Sequence, residues 1–278
     1  MPLITNANPE FLSTISRAPL ILIWNWLVVL IFDIDNQRSP SAVVEDSINK
    51  PKRPIPAGRI STTQARRLQL TLTPLVLVSS YKLGVWAETV LLFVLYWMYN
   101  DMGGGDEHFA SRNGIIAVGF FLYNSGSTRL ACGLDAFITS QGYLWIIVIS
   151  AVIFTTMHVQ DLKDQAGDKA RNRRTIPLVY GNAMARWSIA IPVLVWSVLC
   201  PTFLEVGFLG LVLPLGFGVL VAVRALWLRS FEADRATWHI WAVWQAILYL
   251  LPLLKEHGAL ETSWEAAWLI RSVFFHSH

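Results

Sequence analysis

Three aspartates, Asp161, Asp164 and Asp168, stand in the stretch HVQDLKDQAGDKARNRRTIP at spacings i, i+3 and i+7. On a helix that spacing projects all three from one face as a carboxylate stack. Like charges stacked this way repel, and divalent cations relieve the repulsion. Mg²⁺ in particular is usually held by one or two carboxylates while substrate phosphates and water complete its octahedron. A plainer reading is an acidic helix end neutralised by Lys163, Lys169 and Arg171. What weighs against it is a second polar cluster upstream, DNQRSPSAVVEDSINKPKRPIP, at the mouth of the apolar run PLILIWNWLVVLIF. There Glu45 and Asp46 supply carboxylates, Asn36 and Gln37 neutral oxygen ligands or donors, and Lys50, Lys52 and Arg53 cations. Pro51, Pro54 and Pro56 stop any helix, so the basic residues belong on a loop folded near the acidic helix end. Carboxylates and cations around one cavity suit a magnesium diphosphate, with metal bridging acid to phosphate and Lys and Arg on the free phosphate oxygens.

Such clusters need elements to hold them, and the composition says which kind. The chain is 54% hydrophobic and 15% charged with 13 Trp, and its mean hydropathy is +0.46. A soluble domain carries about 25% charged residues. An integral membrane protein is expected, with no cleavable signal sequence ahead of the first apolar run and with Cys132 and Cys200 as small core residues rather than a disulfide. At about 20 residues per crossing the spans fall at roughly 18–34, 68–84, 85–99, 114–131, 142–158, 186–202, 205–228 and 237–254. The break between the second and third rests on KLG alone, and WEAAWLIRSVFF near the C-terminus reads as an interfacial helix. The expected fold is an all-α, multi-span transmembrane bundle of about eight helices around an apolar central cavity, in one domain over residues 1–278.

Four spans separate the two polar stretches, so both emerge on one face. On this threading that face collects 17 of the 22 Lys and Arg residues, which the positive-inside rule makes cytosolic. Topology is therefore itself a reading of those basic residues. The endoplasmic reticulum is the expected membrane, and no nucleic-acid partner is expected.

The pairing of NQ…EDSINKPKRPIPAGRIS with DLKDQAGDKARNRRTIPLVYG resembles the UbiA superfamily of intramembrane prenyltransferases, over about residues 18–254. The resemblance implies Mg²⁺ ions that bind and ionise an isoprenyl diphosphate. It implies metal ligands at Asn36 and Asp46 in the first motif and at Asp161, Asp164 and Asp168 in the second, with Glu45 also catalytic. Lys50, Arg53 and Lys163 become diphosphate contacts, and Asn49, Gln37 and Arg112 further substrate-binding residues. Two departures stand out. Asn36 and Asp46 are ten residues apart with Pro40 between them and Ala42 where an Asp is expected, a longer NQ…ED variant similar to the fungal UbiA-type terpene cyclases, as is the YNDMGGGDEH…RN pattern from Tyr99 to Asn113. The family usually also has a complete helix ahead of the motif-bearing one, so a wall of the pocket is expected to be missing or supplied from elsewhere.

Cyclase chemistry fits the absence of a Ser/His/Asp or Cys/His arrangement. Ionisation of an allylic diphosphate needs departure of the anion, exclusion of water and a shaped apolar pocket, not a nucleophile. Trp24, Trp26, Trp97, Tyr123, Trp145, Trp241 and Trp244 are candidates to face the cation, or ordinary bundle filler. Asn25, Asn124 and Gln245 must find partners or face the interior. His158 is a diphosphate contact, a terminating base or a helix-end residue, and Asp101 with Arg112 is a candidate cap. Three functions are carried forward: a Mg²⁺-dependent cyclase of farnesyl or geranylgeranyl diphosphate, a prenyltransferase with an aromatic acceptor, and a cation transporter.

Overall fold

In the computed structural model, residues 4–5, 11–133 and 136–256 are described, and among them the chain is helical, with one isolated bridge between Thr5 and Ile138 in place of any strand. The expected C-terminal interfacial helix lies outside the described residues.

Each expected span falls on a helix. The first is α1 (Phe11–Arg38). It ends where Pro40 forbids its continuation: Ser39 turns extended, its hydroxyl accepts from Ala42 N at 3.2 Å, and Pro40 opens the ten-residue helix α2 (Pro40–Asn49). The turns at 50–61 carry KPKRPIP and lead into α3 (Thr62–Lys82), which starts six residues earlier than hydropathy suggests. Ser61 and Gln64 form a reciprocal capping box there, which fixes the helix start among polar residues. The break at KLG is real: Gly84 sits at φ 75°, and α4 (Trp86–Asn100) follows. Next come α5 (Phe109–Cys132) and α6 (Ser140–Thr156). A single 3₁₀ turn, Met157–Gln160, then redirects the chain into α7 (Asp161–Ala170). The short α8 (Ile176–Tyr180) and three long helices, α9 (Asn182–Leu204), α10 (Phe208–Trp227) and α11 (Phe231–Glu256), complete the described fold.

Among the described residues, five segments are by length and composition able to cross a membrane: Thr14–Arg38, Ser140–Ala170, Asn182–Leu204, Gly210–Trp227 and Phe231–Lys255. The other three expected spans miss that measure for local reasons. The α3 helix carries Arg66 and Arg67, α4 has 15 residues, and α5 is interrupted by Asn124, Ser125 and Ser127. Part of that polarity is satisfied between helices. Asn25 Nδ2 donates to Ser127 Oγ at 2.9 Å, and Asn124 Nδ2 to Tyr249 Oη at 2.9 Å, the interhelical bonds that make polar side chains tolerable in lipid. Gln245 is buried, and among the described residues its amide makes no hydrogen bond.

Two apolar cores divide the bundle. One, around Trp24, Val28, Val76 and Leu92, joins α1, α3, α4 and α5. The other, around Ile149, Ile153, Ile189, Trp244 and Leu248, joins α6, α9 and α11 with the 3₁₀ turn. Both halves present the same device at one end: a long helix, a break, a ten-residue acidic helix and a basic loop closing on Ile-Pro, at Ile55-Pro56 and again at Ile176-Pro177. The two acidic helices, α2 and α7, pack side by side. The two polar stretches do meet at one end.

Candidate functional site

The α2–α7 junction is clamped by Asn49. Its Nδ2 donates to Asp164 O at 2.9 Å and its Oδ1 accepts from Gly167 N at 3.0 Å. Expected among the substrate contacts, Asn49 instead uses both ends of its amide to hold the two acidic helices together. Gly167 is glycine for the same reason, because a Cβ there would overlap that amide. Gly167→Ala is expected to break both hydrogen bonds, at about 1 kcal/mol each, and to lower activity along with the unfolding temperature. Thermal unfolding in detergent checks the first effect and product assay the second.

Each expected carboxylate meets a cation. Asp46, 2% exposed, takes Arg53 Nη1 on Oδ1 at 2.9 Å and on Oδ2 at 2.8 Å. Arg112 is no cap over the site: it is buried, and its Nη1 lies 2.9 Å from the Asp161 carboxylate, donating to Oδ2. Asp164 holds Lys163 at 2.7 Å. Arg173 Nη1 reaches Asp168 Oδ1 at 3.1 Å and Glu45 Oε1 at 3.0 Å, while Arg171 Nη1 takes Glu45 Oε2 at 2.9 Å.

Behind this set stands Asp106, which the sequence reading passed over. Its carboxylate accepts from Arg171 Nε at 3.0 Å and Arg173 Nε at 3.1 Å, and its backbone oxygen accepts from Arg174 N at 3.0 Å. The GGGDEH loop is thereby pinned beside the site by a buried network, not left as a free lid. The available signal was the basic run RNRR set against one acidic loop on the same face. Asp101, the other residue considered for a cap, pairs with Arg38 at 2.9 Å, away from this network.

Burial disfavours the charge on Glu45, but Arg173 and Arg171 outweigh it and hold the carboxyl below its ordinary range. Burial also opposes the Arg173 charge, and Tyr99, Glu45, Asp168 and Asp106 more than reverse that, so its guanidinium is held protonated. A carboxyl depressed on folding stabilises the fold above its unfolded value, near 4.5, and loses that contribution as pH falls through the lower folded value. Glu45→Gln is therefore expected to unfold at lower temperature than the unsubstituted chain at pH 7, with the gap closing below about pH 4.5. Unfolding scans at a series of pH values check this.

The network opens onto a cavity of about 340 Å³. Its polar mouth is lined by Asn36, Glu45, Lys50, Arg53, Arg112, Asp164, Asp168 and Arg173, and its depth by Val29, Leu95, Ile115 and Ile116. The aromatic wall is Phe32, Tyr96, Tyr99, Phe120 and Tyr123. Phe32 braces Tyr96 and Tyr99 at centroid distances of 5.1 and 5.6 Å, and the Tyr96 and Tyr123 hydroxyls are 2.5 Å apart. Of the aromatic candidates named from sequence, Tyr123 alone reaches this wall. Trp24, Trp241 and Trp244 are buried with their indole N–H groups on Thr89, Thr156 and Ser197, Trp145 packs in the core, and Trp26 and Trp97 face outward. His158 is turned away too, its Nε2 2.9 Å from Ser188 Oγ. Gln37 is buried without lining the cavity, and Lys163 lies on the other side of Asp164.

The five expected metal ligands do not form one cluster. Among the described residues no three His, Cys, Asp or Glu side chains converge on a shared point, because each carboxylate leans toward its own cation. The donor set nonetheless suits Mg²⁺, which asks for one or two carboxylates at a time. Among the described residues, Asn36 Oδ1, Asp161 Oδ1 and Asp168 Oδ2 are buried oxygens that accept no hydrogen bond, with Asp161 Oδ1 still 2.9 Å from Arg112 Nη1. Asp46 has both its oxygens on Arg53 and Asp164 has Oδ2 on Lys163. Asp33, one turn before Asn36 and within electrostatic reach of Lys50, Arg53 and Asp46, is a further carboxylate that the motif reading missed.

With two acidic helices closing one cavity in a helical bundle, comparison with known proteins is decisive. The sequence profile of the UbiA prenyltransferase family matches residues 31–250. The chain belongs to the UbiA prenyltransferase family. With its five crossing-length helices, this makes it an integral membrane protein and leaves the transporter reading without support. Fumagillin beta-trans-bergamotene synthase of Aspergillus fumigatus is 33% identical over 176 residues, 63% of this chain and 60% of that one. This chain thus spans about three fifths of that relative's length. Digeranylgeranylglyceryl phosphate synthase of Sulfolobus acidocaldarius is 26% identical over 258 residues, covering 89% and 87% of the two chains. A solved structure of a digeranylgeranylglyceryl phosphate synthase superposes with a TM-score of 0.59 at 19% identity over 87% of this chain and 86% of that one. That likeness bears on the family's fold alone.

Proposed function

We propose that this protein is a Mg²⁺-dependent terpene cyclase acting on farnesyl diphosphate. The observation that carries the reading is the cavity: cationic at its mouth, aromatic along its wall, and about 340 Å³ in volume. Ligand sites span roughly 300–1,000 Å³, so this one is at the small end. It suits one shorter isoprenyl chain better than geranylgeranyl, and it leaves little room for an aromatic acceptor beside it. The prenyltransferase reading keeps its own support in the family match and in long alignments such as that with the Sulfolobus synthase.

Asn36, Asp164 and Asp168 would hold Mg²⁺, with Asp161 behind them. When bound, the metal neutralises the diphosphate and favours its departure. The chain's own residues do the rest. Lys50, Arg53, Arg112 and Arg173 present N–H groups and positive charge to the diphosphate oxygens. The allylic C–O bond breaks with its electron pair leaving on the diphosphate, and a distal double bond of the same chain attacks the cation. The five rings offer their electron-rich faces as the charge moves, and the apolar depth excludes the water that would quench it. Loss of a proton from a carbon beside the final cation, to an oxygen of the departed diphosphate, forms the last double bond and ends the sequence. We orient this end toward the cytosol on the Lys and Arg bias and assign the endoplasmic reticulum as the membrane.

Phe32→Ala tests the wall. Ring closure depends on the wall's shape while ionisation depends on the mouth, so the variant is expected to change the ratio of hydrocarbon products while diphosphate release stays within about tenfold, or 1.4 kcal/mol. Gas chromatography with a parallel diphosphate assay reads both quantities. An unchanged product ratio would remove the aromatic wall from the account.

A further inference from the structure

A second cavity, of about 650 Å³, lies on the far side of the Lys50–Arg53 turn. It shares Lys50, Arg53 and Asp164 with the first, so these three side chains form a partition between the two spaces. Beyond the partition the wall is basic: Lys52 from the turn, Lys163 from α7, and Arg235 and His239 from the first turns of α11. Its one acidic lining residue, Asp164, is already paired with Lys163, and Arg53 is held by Asp46. Among the described residues Lys50, Lys52 and Arg235 form no ion pair. The Lys163 ammonium stands 4.8 Å from the centroid of the Trp238 ring, which fixes where its charge points.

Membrane topology accounts for basic residues at this end of the bundle, but not for their convergence on one concavity. Uncompensated cations around a shared space repel, and an anion with several oxygens relieves all of them at once. Among the described residues Phe231 and Trp238 are the only large apolar side chains in the lining, so the space suits an anion without a hydrocarbon tail.

We infer that this outer cavity is a second anion site that takes free diphosphate released from the inner one. The identity of the occupant rests on the proposed ionisation chemistry, which leaves a diphosphate against Lys50 and Arg53, the two cations that face both spaces. A lipid phosphate headgroup shares that chemistry, and the test separates the two sources.

The full chain in nanodiscs of neutral phosphatidylcholine is titrated calorimetrically with inorganic diphosphate and Mg²⁺. The unsubstituted chain is expected to bind two anions. The double variant Lys52→Gln/Arg235→Gln, altered at two exposed positions, is expected to bind one, and Asp168→Asn is expected to weaken the other. Arg235→Lys, which keeps the charge, retains both. A single binding event in the unsubstituted chain, or two surviving in the double variant, overturns the site. In nanodiscs containing phosphatidic acid two anions are still expected; loss of the outer one there would make the headgroup its ligand and overturn diphosphate as the occupant. No isoprenyl substrate is used, so the two readings fail separately. Two bound anions in a chain that turns over no isoprenyl diphosphate would sink the cyclase and leave this site standing.

Discussion

Asp168→Asn is expected to lower the rate of diphosphate release by about 10² to 10³, the range found when one preorganised electrostatic group is removed from an active site. Asp168 is 1% exposed and lines the inner cavity. Its Oδ1 accepts from Arg173, and its Oδ2 accepts nothing. Asparagine has the same shape and can keep the Arg173 hydrogen bond through its remaining oxygen, so the fold should persist. What it removes is the charge and one anionic oxygen at the position assigned to metal binding. The Mg²⁺ concentration at half-maximal rate should therefore rise as the rate falls, while the unfolding temperature moves by only a few degrees, as about 1 kcal/mol would. A folded variant with full rate and unchanged Mg²⁺ dependence would show that Asp168 is merely a partner for Arg173.

Arg173→Met should lower stability as well as diphosphate binding, and the stability loss is the part its ion pairs set. The guanidinium serves Glu45, Asp168 and Asp106 together at the mouth of the cavity, with Glu45 and Asp168 buried and Asp106 partly exposed. Removing one partner from a buried ionic set leaves uncompensated charge and costs about 3–5 kcal/mol. Lysine keeps the charge but cannot fork between Glu45, Asp168 and Asp106 from one planar group, so Arg173→Lys should recover only part of the loss. Its neighbour makes the control. Arg174 is exposed, and what binds Asp106 there is its backbone N–H, so Arg174→Ala is expected within about 0.5 kcal/mol of the unsubstituted chain. Denaturation of the three variants in one detergent orders them. Equal stability of Arg173→Met and Arg174→Ala would contradict the network.

The second acidic helix was legible because its signal is local. Asp161, Asp164 and Asp168 announce a helix face by spacing, whereas Pro40 reads only as an interruption between Asn36 and Asp46, and the helix of their own that carries Glu45 and Asp46 is seen in the structure. The parity of spans carried the further step that both motifs share an end. The partners of those carboxylates were not legible, because they come from distant chain: Arg171 meets Asp106 across 65 residues, and Arg173 meets Glu45 across 128. Nor does a local pattern say which aromatic rings face a cavity. Trp26 and Phe32 lie on the same helix six residues apart, yet one faces outward and the other lines the site. Asn49 shows the limit from the other direction: its place inside a motif made it a substrate contact, whereas its geometry makes it the fastener between α2 and α7.

The central claim is that this cavity ionises an isoprenyl diphosphate and closes the chain on itself. Its most direct test is to incubate the reconstituted protein with farnesyl diphosphate and Mg²⁺, with no aromatic acceptor, and measure released diphosphate and extractable hydrocarbon together. The account predicts a cyclic hydrocarbon formed in step with diphosphate release, both abolished by EDTA, and less product from geranylgeranyl diphosphate. Release of diphosphate from neither substrate until an aromatic acceptor is added would contradict it and make the protein a prenyltransferase.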